Sequence, residues 1–113
     1  MTDDKPKGIE QFPLQENTAR EIINNLAENY TNRIFFSKHV KERMLKRRVT
    51  TSQILMMLKS KHAVFTEGPY EAPNGDWKFN IRGKAAGDII TIVVALKNHQ
   101  DNPKVALVTV WIS

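Results

Sequence analysis

The hydrophobic period of this chain changes near Ala63, which limits its fold to helices followed by strands. Before it, apolar residues recur at helical spacing; after it, they fall into short β-branched and aromatic runs. "ENTAREIINNLAENY" places Ala19, Ile22, Ile23, Leu26, Ala27 and Tyr30 at that spacing, with Asn17 or Thr18 as expected N-cap. A short apolar piece, Ile34 to Phe36, leads to Ser37, the expected N-cap of a second helix ending near Arg47 or Arg48. Thr50 and Gln53 have capping-box spacing for a third helix, which carries Ile54, Leu55, Met57 and Leu58 and ends near Ser60. Past Ala63, "AVFTE", "WKFNIR", "DIITIVVAL" and "VALVTVWI" are separated by Gly68-Pro69 through Gly75, by Gly83 to Gly87, and by Asn98 to Pro103. Links this short between consecutive strands favour an antiparallel meander. The expected fold is α+β: two to three N-terminal helices packed on one face of a four-stranded antiparallel sheet.

A chain of 113 residues is read as one domain. Residues 1–15, polar and broken by Pro6, Gly8 and Pro13, read as a flexible lead-in, and residues 16–113 as the domain. There is no cysteine, which excludes disulfides, thiolate nucleophiles and Cys-based zinc sites. The N-terminus has no apolar run of the signal-peptide kind, and no segment is long enough to span a bilayer. A cytoplasmic protein that does not engage membranes is therefore expected. No glycine-rich phosphate loop and no GxSxG occurs, and His39, His62 and His99 lack metal-ligand spacing. Neither a metal nor another cofactor is expected.

Charge is distributed unevenly. Arg33 to Lys61 hold nine Lys/Arg against one acid, Glu42, a local charge of +8; the rest has eight basic and eleven acidic residues, or −3. Such a field suits an acidic partner: RNA, DNA or an acidic protein surface. A solvated helix face would carry the same charge, so composition leaves both readings open.

Helical geometry divides the basic stretch "FFSKHVKERMLKRRV". At about 100° per residue, Phe36, Val40 and Met44 form an apolar stripe, His39 and Arg43 sit along one edge, and Arg47 falls nearly in line with it. A histidine at such a margin can exchange protons near neutral pH, and an adjacent arginine can grip a phosphate in a two-pronged contact. Lys38, Lys41, Lys46 and Arg48 lie off the stripe or flank it; Lys38, Lys41 and Arg48 join Arg47, with Lys78 further along the chain, as candidate nucleic-acid contacts. In "WKFNIRG", Trp77, Phe79 and Ile81 alternate with Lys78, Asn80 and Arg82, which puts Lys78 and Arg82 on one polar face. Counting by twos along the last strand puts Leu107, Thr109 and Trp111 together, and Thr109 is a hydroxyl in an otherwise apolar run. Threonine is also simply a good strand former.

The segments "SKHVKERMLKRRVTTSQIL", "EGPYEAPNGDWKFNIRGKAAGDIITIVVAL" and "VTVW" resemble the DUF4258 family of small bacterial proteins over about residues 16–113. The most specific part is Ser-x-His-x-x-x-Arg-Met, here Ser37, His39, Arg43 and Met44. Where the family pattern reads Arg-Gly-Ile-Ser/Thr, this chain has Arg47-Arg48-Val49-Thr50. Without the glycine, a left-handed helix end is not expected there, since a side chain costs energy in that conformation. The family in turn is similar to the RelE and BrnT toxins. That likeness implies a helix-then-sheet RNase fold and a metal-independent endoribonuclease. His39 and Arg43 would be its helix contribution, Arg82 the strand arginine and Thr109 the final-strand hydroxyl. The implied partners are RNA and an acidic antitoxin protein. The alternative is a non-catalytic module that binds nucleic acid or protein through the basic helix.

Overall fold

The computed structural model describes residues 13–97 together with the backbone of Asn98 and of residues 103–112. Most of the expected lead-in, and His99, lie outside the described residues; at its described end Leu14 is buried in the core. The elements are α1 (Glu16–Asn29), β1 (Ile34–Phe36), α2 (Lys38–Arg47), α3 (Thr51–Lys59), β2 (Val64–Glu71), β3 (Trp77–Ala85), β4 (Asp88–Asn98) and β5 (Pro103–Ile112). The fold is α+β with three helices.

The helix boundaries follow from local chemistry. Helix α1 begins after Gln15, not after Asn17 or Thr18; Ala19 N–H donates to the Gln15 carbonyl at 2.9 Å, and Glu16 in the first turn suits the positive end of the helix dipole. At α2, the Ser37 hydroxyl oxygen accepts from Val40 N–H at 3.2 Å. At α3, Thr50 and Gln53 form the full capping box, with Gln53 N–H to Thr50 Oγ1 at 3.1 Å and Thr50 N–H to Gln53 Oε1 at 2.8 Å.

The strands are ordered β1-β5-β4-β3-β2 in one sheet. From β2 to β5 each strand pairs antiparallel with the next in the chain. The short piece Ile34–Phe36 is itself an edge strand, parallel to β5. Three residues are too few for an alternation to show in sequence. Strand β2 also runs through Gly68-Pro69, where a break was expected, because the register shift between Glu67 and Tyr70 absorbs the pair and the strand lies at the other sheet edge. Gly68 has φ +76, and a Cβ there would lie 2.5 Å from the Lys78 carbonyl oxygen, so only glycine fits the bulge. The break expected from Gly83 to Gly87 is likewise shorter: β3 continues to Ala85, and Ala86-Gly87, both at positive φ, make a two-residue hairpin loop.

One sheet face carries the core. Trp77, Phe79, Ile81 and Ala85 of β3 and Ile90, Ile92, Val94 and Leu96 of β4 are buried, with Phe79 opposite Val94 and Ile81 opposite Ile92. The helices complete the same cluster with Ile23 and Leu26, Val40 and Met44, and Ile54, Met57 and Leu58. Helix α3 sits closely on β3: a Cβ on Gly83 would lie 2.9 Å from Met57 Sδ. Asn24 Nδ2 on α1 donates to the Leu58 and Ser60 carbonyls at 2.6 and 3.2 Å, tying α1 to the end of α3.

Candidate functional site

Helix α2 stands on β5 with only Val40 and Met44 buried, so most of its surface is left to solvent. On the flank beside Val40, His39, Arg43 and Arg47 line one hollow of about 340 Å³ together with Glu42 and Lys46. Arg43 is half-buried while His39, Lys46 and Arg47 are exposed, so the expected margin position holds for Arg43 and not for the histidine. Among the described residues the ion pairs join Lys59 to Glu28 at 3.9 Å and Lys97 to Asp76 at 3.5 Å. The cations of α2 are thus not neutralised within the described fold. Three cations, one imidazole and one carboxylate in a shallow hollow can hold a phosphate by charge and by guanidinium forks. They also bring two titratable groups, His39 and Glu42, to the same place.

Lys46, off the apolar stripe in sequence, and Glu42, the lone acid of the basic stretch, were not among the candidate site residues. Their membership of the hollow was readable from spacing: Glu42 lies three positions beyond His39, and Lys46 three beyond Arg43.

The other candidates lie elsewhere. Lys38, Lys41 and Arg48 are exposed on α2 or at its end but do not line this hollow. On β3, Lys78 and Arg82 occupy the face opposite the buried Trp77, Phe79 and Ile81, as the alternation predicted. Arg82 lines a separate hollow of about 430 Å³ with Val64, Thr66, Gly83, Lys84 and Ile89. The structure therefore brings His39, Arg43 and Arg47 together and leaves Arg82 apart from them. Thr109 is paired with Val93 on β4, and its side chain lies outside the described residues. Leu107 and Thr109 pair with the adjacent residues Val94 and Val93, so the count by twos along β5 is interrupted at Val108.

The C-terminal end of α2 corrects an expectation. Arg48 is left-handed, with φ 56 and ψ 39. Arg48 N–H donates to the Leu45 carbonyl at 3.3 Å and Val49 N–H to the Met44 carbonyl at 2.9 Å, the bond pair of a Schellman motif. Val49 and Met44 are both buried, which supplies the apolar contact this motif favours. Burial of Val49 and the turn into α3 demand the left-handed residue, so the arginine adopts it at a cost of about 1 kcal/mol.

Among the described residues there is no group of three or more His, Cys, Asp or Glu side chains fit to hold a metal ion, and no helix is long and apolar enough to cross a membrane. The family described as "Domain of unknown function (DUF4258)" matches residues 36–112, from the end of β1 to the end of β5. A comparison with curated proteins finds no significant match.

Proposed function

We propose an RNA-binding role for this chain, which belongs to the DUF4258 family: the hollow lined by His39, Arg43, Lys46 and Arg47 holds phosphates of the RNA backbone. The observation that carries this reading is the gathering of three cations on one helix flank with, among the described residues, no carboxylate beside them but Glu42. Lys38 adds to the field from the first turn of α2. Phosphate contacts of this kind release counterions, so affinity falls steeply with salt. Binding of a labelled single-stranded RNA is to be measured across a salt series, for wild type and for Arg43→Ala/Arg47→Ala. The double variant is expected to flatten the slope of log affinity against log salt by about 0.7 per cation removed. Salt-independent affinity, or an unchanged slope in the variant, overturns the reading.

The second reading is RNA cleavage of the RelE/BrnT-like type, and the observation favouring it is that His39 and Glu42 share the hollow with Arg43. In this scheme the Glu42 carboxylate takes the 2′-hydroxyl proton, and the 2′-oxygen attacks phosphorus. Protonated His39 donates to the departing 5′-oxygen, which leaves a 2′,3′-cyclic phosphate and a 5′-hydroxyl. Arg43 holds the phosphorane charge. Arg82 lines a different hollow on β3, and the Thr109 side chain lies outside the described residues, so neither is given a step in this scheme. A His39→Ala protein that cleaves RNA as fast as wild type excludes this scheme, and the absence of any cleavage by wild type leaves binding alone.

A further inference from the structure

We propose that the opposite flank of α2 is a docking groove for an acidic amphipathic helix of a partner protein. At about 100° per residue, Lys41 and Leu45 fall on the far side of the Val40–Met44 stripe from His39, Arg43 and Arg47. There, Met44, Leu45 and Val49 form the apolar wall of a groove of about 550 Å³ that runs from α2 onto the start of α3, with Lys41 and Arg48 beside them. This site is distinct from the phosphate hollow: none of the residues lining one lines the other.

Leu45 is 82% exposed on a helix whose remaining exposed positions are all charged or histidine. A single exposed leucine is ordinary, but this one continues an apolar wall whose other members, Met44 and Val49, belong to the core. Arg48 is held left-handed at the groove although glycine would relieve the strain, which keeps a cation there at an energetic cost. Among the described residues no carboxylate lines the groove.

Charge complementarity selects the occupant. A second copy docked symmetrically would set Lys41 and Arg48 against their own equivalents. Nucleic acid would use the cations but leave the aliphatic wall without a partner. A helix with leucines at i, i+3 or i+4 and i+7 and glutamates alongside satisfies both the wall and its cations.

The test titrates isotope-labelled full-length protein with a synthetic peptide of about 15 residues carrying leucines at that spacing on a Glu-rich background. A peptide of the same composition with the leucines scrambled, and a single-stranded RNA, serve as comparisons. The patterned peptide is expected to shift the amide signals of Leu45, Arg48, Val49 and Thr51. Leu45→Ala is expected to weaken it at least about fivefold, and Arg48→Gly, which keeps the backbone turn, about threefold. RNA binding should be unchanged in Leu45→Ala. The proposal is overturned by shifts centred on His39, Arg43 and Arg47, by equal binding of the scrambled peptide, by no binding of the patterned peptide, or by a Leu45→Ala effect on RNA as large as that on peptide. The RNA reading fails independently, through Arg43 and Arg47.

Discussion

Arg48 carries the backbone strain of the α2 C-terminal end in a single residue. Its φ of 56 is a glycine's conformation carried by an arginine. Arg48→Gly is therefore expected to raise stability by about 1 kcal/mol, read as a higher urea midpoint at unchanged slope. A destabilised variant would mean that the arginine side chain makes a structural contribution larger than its strain. Glu42 offers a second single-residue test, because the two functional readings predict opposite outcomes for it. If the hollow only binds phosphate, Glu42→Gln removes a repulsive charge and should tighten RNA about threefold, the scale of an exposed charge pair. If the hollow cleaves RNA, the same substitution should cost about a hundredfold or more in rate while binding holds. Equilibrium binding and a cleavage time course on the same protein distinguish the two.

At the scale of elements, the α2–α3 junction sets where every candidate side chain on α2 stands. Its anchor is Gln53, a buried polar residue that caps α3 and reaches across to the β3–β4 hairpin. Its Nε2 donates to the Ala85 carbonyl at 3.3 Å and to Asp88 Oδ2 at 3.1 Å. Gln53→Ala keeps the Thr50 cap but removes the return bond of the capping box and the side-chain bonds to Ala85 and Asp88, so a loss of about 1–3 kcal/mol is expected in chemical denaturation. A loss below about 0.5 kcal/mol would show that the hairpin contact contributes nothing. The cap half of this arrangement was legible in sequence, because Thr50-x-x-Gln53 is a local pattern. The hairpin half was not, since Gln53 and Asp88 meet only when α3 lies on the sheet. The same contrast holds at α2. Ser37 announced its start, but the missing glycine at Arg48 pointed away from the left-handed end that burial of Val49 imposes.

For the whole molecule, helices on one sheet face mean that substitutions on neighbouring residues of β3 have opposite consequences. Gly83 faces α3, and a side chain there meets Met57 Sδ at 2.9 Å and Ala63 Cβ at 3.3 Å. Gly83→Val is expected to cost about 1–3 kcal/mol in thermal or chemical unfolding. Lys84, exposed on the other face, should tolerate Ala within about 0.5 kcal/mol. Equal effects at the two positions would contradict the one-sided packing. Local pattern was enough for the α+β class, for the three helices with two of their three N-caps, and for the polar alternation that puts Lys78 and Arg82 together. Periodicity and capping are local, and a few adjacent residues encode them. Long-range packing was needed to make Ile34–Phe36 an edge strand, to carry β2 through Gly68-Pro69, and to set Arg82 in a different hollow from His39 and Arg43. Each of these depends on strand order and on the side of the sheet a helix covers. Such relations join residues tens of positions apart, and no local pattern records them.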